Sequence, residues 1–265
     1  MTLKECVLSI LKQSFKDWEL IAINDQSSDG SLELARQLAD KDQRIHVYNN
    51  KGKGIVDALN YGLELSKAEL IARMDADDRM KPERLKLQVE YLQEMTDVGL
   101  VSSKVVHIPQ EGHDTRGYSS YITWMNEIKS FKEISTNRFI ESPLAHPSVM
   151  FRKELISLYG NYENGNFPED YELWLRLLDH GVKIGKVNAC LLEWRDSPGR
   201  LSRIDSRYKL KAFQVLKAKY VSRWLRKELP EGLNIHGWGA GEVAMQQIKY
   251  LEAYGISLEC IYDIN

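Results

Sequence analysis

Cysteine is scarce in this 265-residue chain, and the three present, Cys6, Cys190 and Cys260, lie far apart with no metal-ligand spacing. That argues against a disulfide framework and a thiolate zinc site, and it suits a reducing cytosol, including the inner face of the membrane. Histidine is sparse too: six residues, none in a His-Glu-x-x-His pair or a comparable cluster. No uninterrupted apolar run approaches the roughly 20 residues that cross a bilayer. Excess charge of either sign is also missing. With 36 Lys and Arg against 38 Asp and Glu, the net charge is −2. A polyphosphate backbone favours a strongly basic surface, so nucleic acid is not the expected partner. What remains, 43% hydrophobic and 28% charged, is an ordinary globular composition, long enough for one large or two smaller domains.

Against that background one stretch stands out. The strand-like segment from Glu69 to Met74 runs directly into Asp75, Ala76, Asp77 and Asp78. Three carboxylates so close repel one another, and a hard divalent cation with oxygen ligands offsets that repulsion. Asp-rich turns are more often solvated loops or helix caps. A second apolar segment, Trp18 to Ile23, also ends in polar residues, Asn24-Asp25-Gln26-Ser27-Ser28-Asp29-Gly30. In open α/β sheets ligands bind beyond the carboxyl ends of strands, so Asp25 and Asp75 could face one cleft. Further on, Glu169 and Asp170 open an apolar-periodic helix, where acids also complement the helix dipole.

From Trp18 to about Ser103 strand-like runs alternate with helical patterns, the rhythm of βαβ units around a mostly parallel sheet. Helices are expected at Ser31–Ala39, Gly54–Leu65 and from Pro82, with strands at Ile45–Tyr48 and Gly99–Lys104. Residues 107–145 lose the rhythm. From Arg200 to Lys227 there are ten Lys or Arg against one acid, Asp205, and apolar residues recur at roughly helical spacing. Such a helix either lies on an anionic membrane surface or packs on its own domain with its lysines in water. After Pro230-Glu231-Gly232, a strand, the turn Gly237-Trp238-Gly239-Ala240-Gly241, a helix and a second strand form one βαβ unit. Gly239-Ala240-Gly241-Glu242-Val243-Ala244 fits the dinucleotide pattern, with Asp263 near the usual spacing of about 20 residues.

Taken in order, several segments resemble the family 2 glycosyltransferases, inverting nucleotide-sugar enzymes of GT-A fold: Ser9–Ser14, Trp18–Ile21 with Asn24–Ser31, Gly54–Leu63, Arg73–Asp78, Pro82–Leu85 with Gln88, His146–Arg152 and Glu169–Leu177. The resemblance implies residues 1–205 as the transferase domain, leaving 206–230 as a basic helical linker and 231–265 as a partial Rossmann-like βαβ module. It implies Asp25 at the nucleotide base, Gly54 and Asn60 near the nucleotide, and Asp75 and Asp77 as the Asp-x-Asp pair holding nucleotide and Mg²⁺ or Mn²⁺. Asp170 matches the catalytic base, and His146 falls on the acceptor side.

The implied reaction moves a sugar from a nucleotide-diphosphate donor, by family preference a UDP-sugar, to a hydroxyl of a saccharide or lipid-linked acceptor in cell-surface polysaccharide or glycolipid synthesis. Two departures matter. Many members carry Asp-Asp-Gly where this chain has Asn24-Asp25-Gln26, and the family's opening strand is not found, since the chain starts on the following helix. That predicts an N-terminally truncated domain. A nucleotide-sugar-binding module without turnover, or an NAD(P)-dependent oxidoreductase centred on the C-terminal glycines, remain the other readings.

Overall fold

The computed structural model describes residues 2–109, 116–196, 199–230 and 234–264. In chain order the elements are α1 (Thr2–Leu11), β1 (Leu20–Asn24), α2 (Ser31–Ala39), β2 (Ile45–Asn49), α3 (Ile55–Leu65), β3 (Leu70–Ala72), β4 (Arg79–Met80), α4 (Arg84–Glu94), β5 (Val98–Ile108), α5 (Arg116–Glu127), α6 (Phe131–Asn137), β6 (Met150–Arg152), α7 (Glu154–Tyr159), α8 (Glu169–Asp179), β7 (Lys183–Arg195), α9 (Leu201–Ile204), α10 (Leu210–Glu228), β8 (His236–Trp238), α11 (Glu242–Ala253) and β9 (Cys260–Tyr262). The chain folds as two compact units, Met1–Glu163 with Gly181–Pro198, and Asn164–His180 with Gly199–Asn265. This grouping follows packing and cuts across the linear partition at 205 and 230. Residues 231–232 of the expected boundary lie outside the described residues.

In the first unit β1 and β2 pair in parallel, Leu20 opposite Ile45 through Asn24 opposite Asn49, with α2 as the crossover. Val7, Leu38 and Ile45 close the core beneath them. A five-stranded sheet follows, in the order β3-β6-β5-β7-β4. The α/β class holds, but this sheet is mixed, unlike the mostly parallel one expected. β5 and β7 run parallel, whereas β3 with β6, β6 with β5, and β4 with β7 are antiparallel. β4 follows β3 after residues 73–78 with no helix between them and pairs with β7 at the other edge of the sheet, while β6 follows β5 after α5 and α6 and runs back along it.

α1 serves two cores. Val7 packs with Leu38 and Ile45, while Cys6 and Ile10 join Met80, Leu85, Val89, Leu92, Val101 and Met150. A third cluster, Val105, Ile122, Met125, Ala145, Leu192 and Trp194, draws α5 onto β5 and β7. The pairing of β5 with β7 shifts register around Lys104, which interrupts the ladder. The Asn126 side chain repairs it, accepting from Val105 N–H at 3.0 Å and donating to Val105 O at 2.9 Å.

Lys186 on β7 is buried and its Nζ donates to Met125 O at 2.6 Å and Pro143 O at 3.1 Å, tying the end of α5 and the following segment to the sheet. Burial, helped by Lys104, lowers its pKa to about 7. Between that value and the ordinary value near 10.5, the unfolded chain holds a proton that the folded chain has released. Stability therefore rises with pH from about 7 toward 10, by at most about 1.4 kcal/mol per unit. Urea unfolding at pH 7, 8 and 9 should show this rise in the native chain and a flatter profile in Lys186→Met. Equal slopes would show that Lys186 is not its source.

In the second unit, α10 packs against α8 and α11. Its buried residues fall on two faces, Gln214, Ala218 and Ser222 on one, Leu216 and Tyr220 on the other. A basic helix covered on two sides is a packed element first, whatever its exposed lysines do. β8 and β9 pair in parallel around α11, completing one βαβ unit. Gly239 takes a φ of +94°, which favours glycine. Asp263, which the dinucleotide reading would place on a ribose, instead accepts from Ala240 N–H of that turn at 3.1 Å. No helix among the described residues is long and apolar enough to cross a membrane.

Candidate active site

β3 ends where its backbone is pinned from two sides. Arg73 N–H donates to Val149 O at 3.0 Å. Arg84, fully buried on α4, donates from Nη2 to Arg73 O at 2.8 Å and from Nε to Gln88 Oε1 at 3.0 Å. Gln88 in turn donates to Ser148 O at 2.8 Å. Burial lowers the Arg84 pKa to about 10, and the Asp78 carboxylate works against that shift. The turn that follows is thus held by buried polar groups that leave it little room to relax.

On this turn Asp75, Asp77 and Asp78 each present an oxygen, all within 4.8 Å of one another. Asp75 and Asp77 are half-buried and Asp78 is buried, its Oδ1 accepting from Arg195 N–H at the end of β7 at 2.8 Å. Arg73 forms an ion pair with Asp75. Burial opposes the Arg73 charge, yet the Asp75 carboxylate more than offsets this and the guanidinium pKa is raised. Cys6, whose thiol donates to Asp75 O at 3.3 Å, registers the local field. Burial first, and then Asp78, Asp75 and Asp77, push that thiol up to about 12. A half-open cluster of hard oxygen donors in a negative field suits Mg²⁺ or Mn²⁺ and gives a soft metal no ligand it prefers.

Asp25 follows β1 and is exposed, with both carboxylate oxygens near Gly54 N–H, at 2.9 and 3.0 Å, and Oδ1 accepting from Asn50 Nδ2 at 2.9 Å. Gly54 caps α3 with φ +90°, a conformation that favours glycine. The structure therefore brings Asp25 and Gly54 together. The departures beside Asp25 have local accounts. Asn24 donates to Asn49 Oδ1 at 3.0 Å across the β1–β2 register pair, a bond for which an ionised Asp has no proton. Gln26 keeps a left-handed φ of +59° although it has a side chain, at a cost of about 1 kcal/mol.

Asn60 is engaged elsewhere. Its Nδ2 donates to Tyr162 O at 2.9 Å and its Oδ1 accepts from Tyr162 N–H at 3.1 Å, so the amide staples α3 to a segment far along the chain. Tyr162 Oη lies 2.9 Å from Nε2 of His146, which is buried. Burial, then Arg73, hold the His146 pKa well below its usual value, so the ring is neutral near pH 7. Asp170 sits in the first turn of α8 in the second unit, its Oδ1 accepting from Tyr171 N–H at 2.7 Å.

Sequence reasoning read Asp75, Asp77 and Asp78 as one cluster, gave the metal to Asp75 and Asp77, and passed over Arg73, Arg84 and Gln88. The segments holding these three were quoted for their resemblance, but what a buried polar side chain does depends on what tertiary structure places beside it.

The family model for "Glycosyl transferase family 2" matches residues 1–160. The chain belongs to this family. Among curated relatives of the glycosyltransferase, the O-antigen biosynthesis glycosyltransferase WbnJ of Escherichia coli is 31% identical over 71% of each chain. The UDP-Gal:alpha-D-GlcNAc-diphosphoundecaprenol beta-1,3-galactosyltransferase of Escherichia coli is 30% identical over 74% of this chain and 69% of its own. Among solved structures, TarS 1-349 of S. aureus in complex with UDP-GlcNAc superposes with a TM-score of 0.65 at 16% identity, over 95% of this chain and 67% of that one. The fold is of the GT-A type.

Proposed function

We propose that this glycosyltransferase moves a hexosyl group from a UDP-sugar to a hydroxyl of a saccharide or lipid-linked acceptor, with inversion, in the synthesis of a cell-surface polysaccharide or glycolipid. The observation that carries the reading is the Asp75, Asp77 and Asp78 cluster at the end of β3, held by Arg73, Arg84 and Arg195. Asp77 and Asp75 would hold Mg²⁺ or Mn²⁺, which supplies charge neutralisation for the departing diphosphate. Asp25, at the amino end of α3 beside Gly54, would receive the nucleotide base. Asp170 takes the acceptor hydroxyl proton as that oxygen bonds to the anomeric carbon and the carbon–oxygen bond to UDP breaks.

Two similar proteins, a UDP-Gal transferase acting on a diphosphoundecaprenol-linked sugar and a structural neighbour solved in complex with UDP-GlcNAc, support the donor and acceptor classes. Calorimetric titration of UDP with and without Mn²⁺ is the direct test. Binding should tighten at least tenfold with the metal, a gain of about 1.4 kcal/mol. Metal-independent binding would remove the cluster from the donor site, and no binding at all would favour a different nucleotide. A lipid-linked acceptor also implies peripheral contact with an anionic membrane surface through exposed Lys211, Arg226 and Lys227 of α10. Co-sedimentation with phosphatidylglycerol vesicles at low salt, lost in 0.5 M salt, is expected, and equal recovery with neutral vesicles would sink it.

A further inference from the structure

The first turn of α8 carries three acids, Glu169, Asp170 and Glu172. Glu169 is 1% exposed and Glu172 is fully buried. Each has lost water, and protein donors must replace it. Two of them come from outside the helix. Tyr208 Oη donates to Glu169 Oε2 at 2.6 Å, and Tyr220 Oη donates to Glu172 Oε1 at 2.5 Å. Arg176, one turn along α8, adds a bond of 2.9 Å from Nη2 to Glu172 Oε2. Glu172 thus keeps a cation if its tyrosine is removed, whereas the hydrogen bond to Glu169 comes from Tyr208.

Tyr208 is itself fixed. It ends a 3-10 turn, Ser206–Tyr208, whose cap is Asp205, with Oδ1 accepting from Arg207 N–H at 2.8 Å and Oδ2 paired with Arg207 Nη2 at 2.8 Å. Burial, then the Asp170 and Glu169 charges, hold the Tyr208 hydroxyl far above its ordinary pKa. It therefore stays a donor throughout the working pH range. A charge-assisted bond this short is among the stronger ones in proteins.

We propose that Tyr208 is a positioning residue for sugar transfer: through Glu169 it fixes the first turn of α8 and so the placement of the Asp170 carboxylate next in the chain. The inference rests on the assignment of Asp170 as base made above. Asp170 also accepts from Tyr171 N–H, a bond within the turn that moves with it; the Tyr208 bond ties the residue directly before Asp170 to a segment outside the helix, as Tyr220 ties Glu172 two residues after it. Misplacing a reacting group by about 1 Å costs on the order of 100-fold in rate.

The test compares Tyr208→Phe, Glu169→Gln and the double variant, with UDP-Gal as donor and a GlcNAc-diphospholipid as acceptor, or donor hydrolysis alone, reading UDP release. Tyr208→Phe should lower kcat about 10- to 100-fold, with the Kd for UDP and Mn²⁺ within twofold and the unfolded fraction unchanged at assay temperature. The double variant should lose little more than Tyr208→Phe alone, because Glu169→Gln keeps an oxygen that accepts the bond and removes only the charge that strengthens it, whereas Tyr208→Phe removes the bond itself. Native kcat in Tyr208→Phe while Asp170→Asn is inactive would overturn the positioning role and leave the base assignment standing. A kcat loss matched by weaker UDP binding or by unfolding would overturn it in favour of a structural role. Turnover retained by Asp170→Asn would overturn the base assignment and the brace with it.

Discussion

Asp170→Asn should lower kcat by about 10²–10⁴-fold, the range lost when a positioned general base is removed, while UDP and Mn²⁺ bind within about twofold of the native values. The substitution keeps the size of the side chain and an oxygen that can accept the Tyr171 N–H bond, so the first turn of α8 stays formed. What it removes is the ability to receive a proton. The attacking hydroxyl must then shed its proton to water or attack while still protonated, and either route raises the barrier without touching the donor. Single-turnover transfer from pre-bound donor separates the two steps. A variant with native kcat would take Asp170 out of the mechanism. One that no longer binds UDP would show that α8 matters to the donor rather than to the proton.

The parts of this protein that could be read from sequence are those where chemistry and local structure coincide. Asp75 and Asp77 announce themselves because carboxylates directly after an apolar segment are costly unless something offsets their repulsion. Helix α2 is found at its expected bounds, since its apolar residues repeat at helical intervals between a glycine and a charged stretch. β7 was not foreseen: Lys183–Arg195 mixes Gly, Lys and Asn among apolar residues, and its broken alternation matches the register shifts against β5. The strand β5 runs on to Ile108, beyond the expected end at Lys104, because Asn126 satisfies the backbone at the break. Asn60 shows the limit for site residues. Its motif places it near a nucleotide, but its amide is engaged by Tyr162, 102 residues later, a pairing that no local pattern encodes. α10 makes the same point for surfaces, since a helix expected only from apolar residues at roughly helical spacing proves to be buried on two faces.

Asp77→Ala and Asp75→Ala should both abolish the Mn²⁺ dependence of UDP binding, and Asp75→Ala should weaken the fold as well. Each removes one of the hard oxygen donors on which a divalent cation depends, and a loss of about 100-fold in metal-dependent UDP affinity, near 2.8 kcal/mol, is expected. Asp75 has a second role. Its partner Arg73 has a side chain only 10% exposed, whereas Asp75 is 28% exposed. Truncating the acid leaves a nearly buried guanidinium without its counter-charge. Breaking a buried pair from one side costs about 3–5 kcal/mol, and the partial exposure of Asp75 places this case toward or below the lower figure. Asp75→Ala should therefore lower the denaturation midpoint by several degrees without ligand or metal, through the stranded Arg73 charge. Arg73→Met in the Asp75→Ala background should recover part of that stability, because the stranded charge is gone, but none of the metal-dependent binding. Thermal unfolding in EDTA reads the structural term and titration with Mn²⁺ the functional one. If both variants unfold like the native chain and bind UDP with undiminished metal dependence, the cation is held by other residues and the strand-end carboxylates serve only to cap the turn.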